Sequence, residues 1–158
     1  MESYKILFWI LPISVLLHIT EEFIYPGGFL DWDRNYRPGI AKSTHPRFLI
    51  IINVLLFAIC FNPILSGLTN GGIVWWLSIV SILLVNSYFH IKGVIVLKRY
   101  SPGVITSIFI YIPLTLFGYW YFISTRQVTW LNAILCLSVG IFYHLFSSFN
   151  PLRRKKNN

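Results

Sequence analysis

Charge is what this sequence has least of. Only 11% of its 158 residues are Asp, Glu, Lys or Arg, where a soluble domain carries about 25%. With 56% of residues hydrophobic, that shortfall excludes an ordinary soluble domain and points to a membrane protein. Acids are scarcer than bases, five against thirteen, for a net charge of +8. In a soluble chain such a balance suggests nucleic acid. Here the bases fall between apolar runs and at the C-terminus, so no nucleic-acid partner is expected. They read as topology determinants that meet anionic lipid headgroups. Cysteine is reduced to Cys60 and Cys136, both inside apolar runs, where a thiol behaves as a small apolar residue. The chain shows no nucleophilic Ser or Cys motif, no internal repeat and no strand-to-helix glycine loop for phosphate. The N-terminal apolar core is followed by no small-x-small cleavage pattern, so it reads as a retained span and not a signal peptide.

What is present is length of apolar sequence. A helix needs roughly 20 apolar residues to cross the hydrocarbon, and five runs come close: about 4–23, 48–68, 72–97, 103–124 and 128–149. The expected fold is therefore all-α: one polytopic membrane helical bundle over residues 1–149, with about five transmembrane helices, and a basic tail at 150–158. With five spans, the loop 24–47, the turn after the third span and the tail share one side, and they hold eleven of the thirteen bases. That bias places the C-terminus in the cytoplasm of an integral membrane protein, at the plasma membrane in a bacterium. The final "KKNN" also has the form of a dilysine retrieval signal, though a topology anchor is the simpler reading. The loop 24–47 is the only long connection. Its Pro, Gly and aromatic residues suit an irregular interfacial segment, with Tyr25, Trp32 and Tyr36 at headgroup level.

The acids raise the central question. "HITEEF" closes the first run, and positions i, i+3 and i+4 share a helix face, so His18, Glu21 and Glu22 project together. The C-terminal end of a helix disfavours carboxylates by about 0.3–1 kcal/mol each. Near hydrocarbon the cost rises to about 2.5–3.5 kcal/mol per acid at mid-bilayer. Protonation, a basic partner or a metal ion must offset it. In "VNSYFH", Asn86 and His90 also share a face, and "IFYHLF" offers His144. Counting about 1.5 Å per residue from the span ends, these groups lie within about 10 Å of one another in depth, with Asn53 and Thr106 at a comparable level.

Nitrogen and oxygen donors in this mixture suit Zn, Mn or Fe. Two acids are too few for a bundle-type di-iron site, so one ion is expected. By analogy with the H-x-x-E-H motif of zinc proteases, His18 and Glu22 become ligands, with His90 and His144 completing the set. Glu21 is then the general base, and Asn86 orients substrate or a ligand. The bland readings are an interfacial helix end with the acids paired to Arg34 or Arg37, interhelical hydrogen bonds at Asn86 and His90, and a plain loop residue at His45. Arg99, beside "SPG", is most simply a snorkelling residue, with a role in holding an anionic head as the alternative.

"HITEEF" followed by "PGGF", "NSYFH" and "YSPGVIT" resembles the HXXEE membrane-protein family over about residues 7–145. The resemblance implies a small multi-span protein with metal-dependent chemistry, and matches His18, Glu21, Glu22, Asn86 and His90 to the motif positions. The expected function is a membrane-embedded metal-dependent enzyme, hydrolase-like, acting on a lipid or other amphiphile. The alternatives are a small transporter or proton relay using the same His and Glu residues, and a metal-free lipid isomerase or binding protein.

Overall fold

A computed structural model describes residues 3–41 and 46–149. Helices make up the chain in the order α1 (Ser3–Phe23), α2 (Phe29–Tyr36), α3 (Pro38–Ala41), α4 (Pro46–Ile59), α5 (Asn62–Ser66), α6 (Asn70–Leu97), α7 (Val104–Thr106), a π-helical turn (Ser107–Tyr111), α8 (Ile112–Ser124) and α9 (Trp130–Phe149). Among the described residues there is no strand. Four stretches are long and apolar enough to cross a bilayer: Lys5–Phe23, Pro46–Ser66, Asn70–Leu97 and Val104–Ser124. A fifth apolar helix covers Trp130–Phe146. Large apolar side chains such as Ile13, Leu16, Leu55, Phe109, Trp120 and Phe142 are exposed, which suits lipid and not water.

The central helix is α6. Thr69 caps it by accepting a hydrogen bond from Gly72 N at 3.0 Å, the usual solution for an orphan N-terminal amide. Lipid offers no hydrophobic gradient between helices, so association relies on close packing through small residues. Gly140 of α9 lies against the Ser81 backbone of α6, where a Cβ would collide. Gly118 of α8 likewise takes the Trp76 ring. Trp76 is fully buried and donates from Nε1 to Leu7 O at 3.2 Å, tying α6 to α1.

Two runs are interrupted within their spans, and one expectation needs amending. The second apolar run is broken, since α4 ends at Ile59 and α5 restarts at Asn62, with Pro63 in the first turn, where no amide donor is missed. The fourth run carries a π turn just before Pro113. Proline removes one i→i−4 bond, and a widened turn absorbs the change of register. The loop 24–47 is not irregular where it is described. Gly27 and Gly28, at φ 71° and 86°, reverse the chain, and α2 then packs an apolar face inward. Trp32 is therefore buried and not at a headgroup surface, lying over Gly93 of α6. Lys42, His45 and the tail 150–158 lie outside the described residues.

Candidate metal centre

The ends of three spans meet beside α2. His18 and Glu22 come from the last turns of α1, and His90 from the last third of α6. The third contributor is the segment 100–106, which enters α7. One turn of helix sets the first pair: His18 Nε2 lies 3.3 Å from Glu22 Oε1. His90 Nε2 reaches the same carboxylate oxygen at 3.2 Å. One ligand atom from each of the three residues lies within 4.8 Å of the others, and all three residues are buried. Ligands held about 2.0–2.2 Å from an ion sit about 3–3.5 Å apart, so the two short edges match a shared cation.

Other partners aim the imidazoles. Glu21 accepts four hydrogen bonds: from Tyr100 OH at 2.6 Å, Ile105 N at 3.0 Å, Thr106 N at 2.8 Å and Thr106 Oγ1 at 2.6 Å. The Thr106 hydroxyl has one proton. When that proton goes to Glu21, the hydroxyl accepts from His18 Nδ1, 2.7 Å away. His18 then carries its proton on Nδ1 and turns the Nε2 lone pair toward Glu22. His90 Nδ1 lies 2.9 Å from Ser101 Oγ, which leaves Nε2 for the cluster. That Nε2 is buried and has no hydrogen bond of acceptable geometry, despite its 3.2 Å approach to Glu22. A buried nitrogen with no hydrogen-bond partner, facing a carboxylate, fits the place of a metal ligand.

The surroundings close tightly. Gly103, at φ 97°, touches both rings. A Cβ there would stand 2.6 Å from His18 Cε1, 2.8 Å from His90 Cε1 and 3.0 Å from His90 Nε2. Trp32 stacks on His90 with centroids 5.6 Å apart, and Tyr111 lies 4.6 Å from the His18 ring. Asn86 Nδ2 is 2.9 Å from His18 Nε2. Half a rotation of that amide would put Oδ1, an acceptor, in the same place.

Not every expected residue joins the cluster. His144 lines the adjoining cavity, but its Nε2 lies 3.2 Å from Ile82 O, and it is not among the clustered ligand atoms. Glu21 sits with both oxygens engaged by the 100–106 segment and not beside the open side of the cluster. The acids are not neutralised by the arginines: Arg34 pairs with Asp31 at 3.2 Å and Arg37 with Asp33 at 2.6 Å. Arg99 is exposed. Ser101, Gly103 and Tyr111 were not foreseen. For the first two, the signal was the "SPG" that follows the third span.

Outside the membrane-spanning helices, the Tyr100 phenol is pushed well above its ordinary value by burial and by the Glu21 carboxylate it serves. Burial raises Tyr36 as well, against the opposing fields of Lys92 and Arg37.

A cavity of about 90 Å³ opens beside the cluster. His18, Glu22, Asn86 and Tyr111 line its polar side, and residues of α4 and α6 its apolar side. No curated protein and no solved structure matches the chain. Over residues 9–118 it matches the family described as "Protein of unknown function with HXXEE motif". The match contains the whole cluster and ends before α9 and His144. His18, Glu21 and Glu22 stand as that motif's histidine and paired glutamates, and the chain belongs to the HXXEE family.

Proposed function

We propose that this protein is a membrane-embedded, metal-dependent enzyme, hydrolase-like, that acts on an amphiphilic substrate. The observation that carries this reading is the buried His18–Glu22–His90 cluster with its orphaned His90 Nε2. Two imidazoles and one carboxylate form a donor set suited to Zn, Mn or Fe. Three protein ligands leave a position open, which distinguishes catalytic from structural sites. When bound, a divalent ion supplies Lewis-acid polarisation of a carbonyl or phosphoryl oxygen.

The chain's own residues do the rest. Glu22 supplies the negative charge that holds the cation. Thr106 and Ser101 fix the two imidazoles, and Glu21 anchors Thr106; such outer partners govern ligand orientation. Asn86 and Tyr111 present polar groups to the cavity, and Trp32 and Phe29 keep bulk water from His90. The base distribution supports placing this end of the bundle toward the cytoplasm.

Elemental analysis of detergent-purified protein tests the proposal. The expected result is about one transition-metal ion per chain, lost in His18→Ala, Glu22→Gln and His90→Ala and kept in His144→Ala. Wild type without metal, or the same loading in the three cluster variants, would overturn it.

A second reading has one observation in its favour. Tyr100, Glu21, Thr106, His18 and Asn86 form a continuous hydrogen-bonded chain, as a proton relay requires. It predicts proton flux in proteoliposomes that collapses in Glu21→Gln while no metal is retained.

A further inference from the structure

Buried polar atoms without partners gather at one place in this bundle. Among the described residues, five buried side-chain nitrogen or oxygen atoms make no hydrogen bond: Trp32 Nε1, His90 Nε2, Ser107 Oγ, Tyr111 Oη and Gln127 Oε1. Three of them belong to His90 itself or to a ring packed on the histidine pair. Trp32 stacks on His90, and Tyr111 lies on His18. Of these three residues, Tyr111 is the one that lines the adjoining cavity, together with His18, Glu22 and Asn86. It is 1% exposed, and a phenol buried to this degree ordinarily finds an acceptor. No protein group among the described residues supplies one.

The π turn explains how the phenol comes to this position. In an α-helix, residues five apart lie about 140° round the axis from each other. The π turn, closed by Ile112 N donating to Ser107 O, takes more residues per turn and so brings Tyr111 back toward the face of Thr106. Both then meet His18, Thr106 through Nδ1 and Tyr111 through the ring face. The size of the cavity limits what can reach them. Its volume is about 90 Å³, against about 150 Å³ for an engineered cavity that accepts benzene. It therefore receives the small polar group of an amphiphile, and a long chain remains outside it. We infer that Tyr111 is a further catalytic residue, whose Oη donates a hydrogen bond to the carbonyl or phosphoryl oxygen of a substrate held beside Glu22 and His18. The proton stays on the phenol. What the residue supplies is a donor already shielded from bulk water, which needs little reorganisation as charge develops on that oxygen. This rests on reading the cavity as the substrate site of the enzyme proposed above.

Two small probes test it on the full chain in neutral-lipid nanodiscs: acetohydroxamate, which binds metal ions, and acetamide, whose carbonyl accepts a hydrogen bond without one. Tyr111→Phe keeps the ring on His18 and removes only the hydroxyl. It should hold as much metal as wild type and melt no lower, because it deletes a buried group that has no partner. Calorimetry should show acetohydroxamate binding to the variant roughly tenfold more weakly, the loss expected for a hydrogen bond to an ionised oxygen. In protein labelled with ring-fluorinated tyrosine, the fluorine resonance of Tyr111 is the one missing from Tyr111→Phe. Saturation with acetamide should move that resonance in metal-loaded and metal-free protein alike. Unchanged acetohydroxamate affinity in Tyr111→Phe overturns the inference, as does a Tyr111 resonance that acetamide leaves in place. Loss of metal or a lower melting temperature in the variant also overturns it, since the hydroxyl would then be holding the fold. Wild type that carries no metal brings down the enzymatic reading alone, and the acetamide shift then decides the role of Tyr111.

Discussion

Replacing Gly103 with alanine adds one methyl group at the point where the two imidazoles converge. The new Cβ would stand 2.6 Å from His18 Cε1 and 2.8 Å from His90 Cε1, where ordinary contact begins at 3.4 Å. To reach ordinary contact the His18 ring must retreat by about 0.8 Å and the His90 ring by about 0.6 Å. Neither can do so freely, because Thr106 holds His18 Nδ1 at 2.7 Å and Ser101 holds His90 Nδ1 at 2.9 Å. A metal site tolerates about 0.2 Å in its ligand distances, so the displacement exceeds that tolerance several-fold. Overpacking of this kind costs about 1–3 kcal/mol, and a left-handed φ adds about 1–2 kcal/mol for a residue with a Cβ. Gly28 provides the control. Its φ of 86° carries the same backbone penalty, but a Cβ there meets nothing within 4 Å. Gly103→Ala should therefore lose metal and melt below Gly28→Ala, by the overpacking share alone, when both are assayed by elemental analysis and thermal unfolding in detergent. Equal metal content and equal melting in the two variants would refute the cradle geometry.

Two further outcomes follow from the hydrogen bonds. Thr106→Val keeps the shape but removes the hydroxyl between Glu21 and His18; metal affinity should fall about 10–100-fold, as for other outer partners of metal ligands, and Thr106→Ser should restore it in a competition assay with a chelating dye. The phenol of Tyr100 is raised above its ordinary value of 10.0, so above about pH 10 the unfolded chain sheds this proton before the folded one does, and stability falls as pH rises. Unfolding measured between about pH 9 and pH 11 should show this decline, and it should be shallower in Tyr100→Phe; an equal slope in both proteins would mean that another group titrates.

Much of this was readable because it is local. Within one helix the 3.6-residue period alone places His18 beside Glu22 and Asn86 beside His90, and no tertiary information is needed. The paired glutamates show the limit of that argument. They are neighbours in sequence, yet Glu22 turns to the histidines while Glu21 is drawn off by four donors from a segment about eighty residues away. Depth counting set His144 level with His90, but the ring lies against Ile82 O, eight residues before His90 on α6 and so nearer the middle of the bundle. The α2 helix was hidden for a related reason: its eight residues mix charge with aromatics, and only burial against Gly93 shows which face matters.

By itself the sequence determined a membrane-spanning helical chain and two same-face pairs of metal-capable side chains, because hydropathy and helical period act over short stretches. Only the tertiary structure decided that His90 meets Glu22, that Gly103 leaves room for both imidazoles, and that Arg37 stacks on Phe89 beside the adjoining cavity. Those outcomes depend on how far each helix rotates and how closely it approaches its neighbours, and that is set by packing between residues distant in the chain.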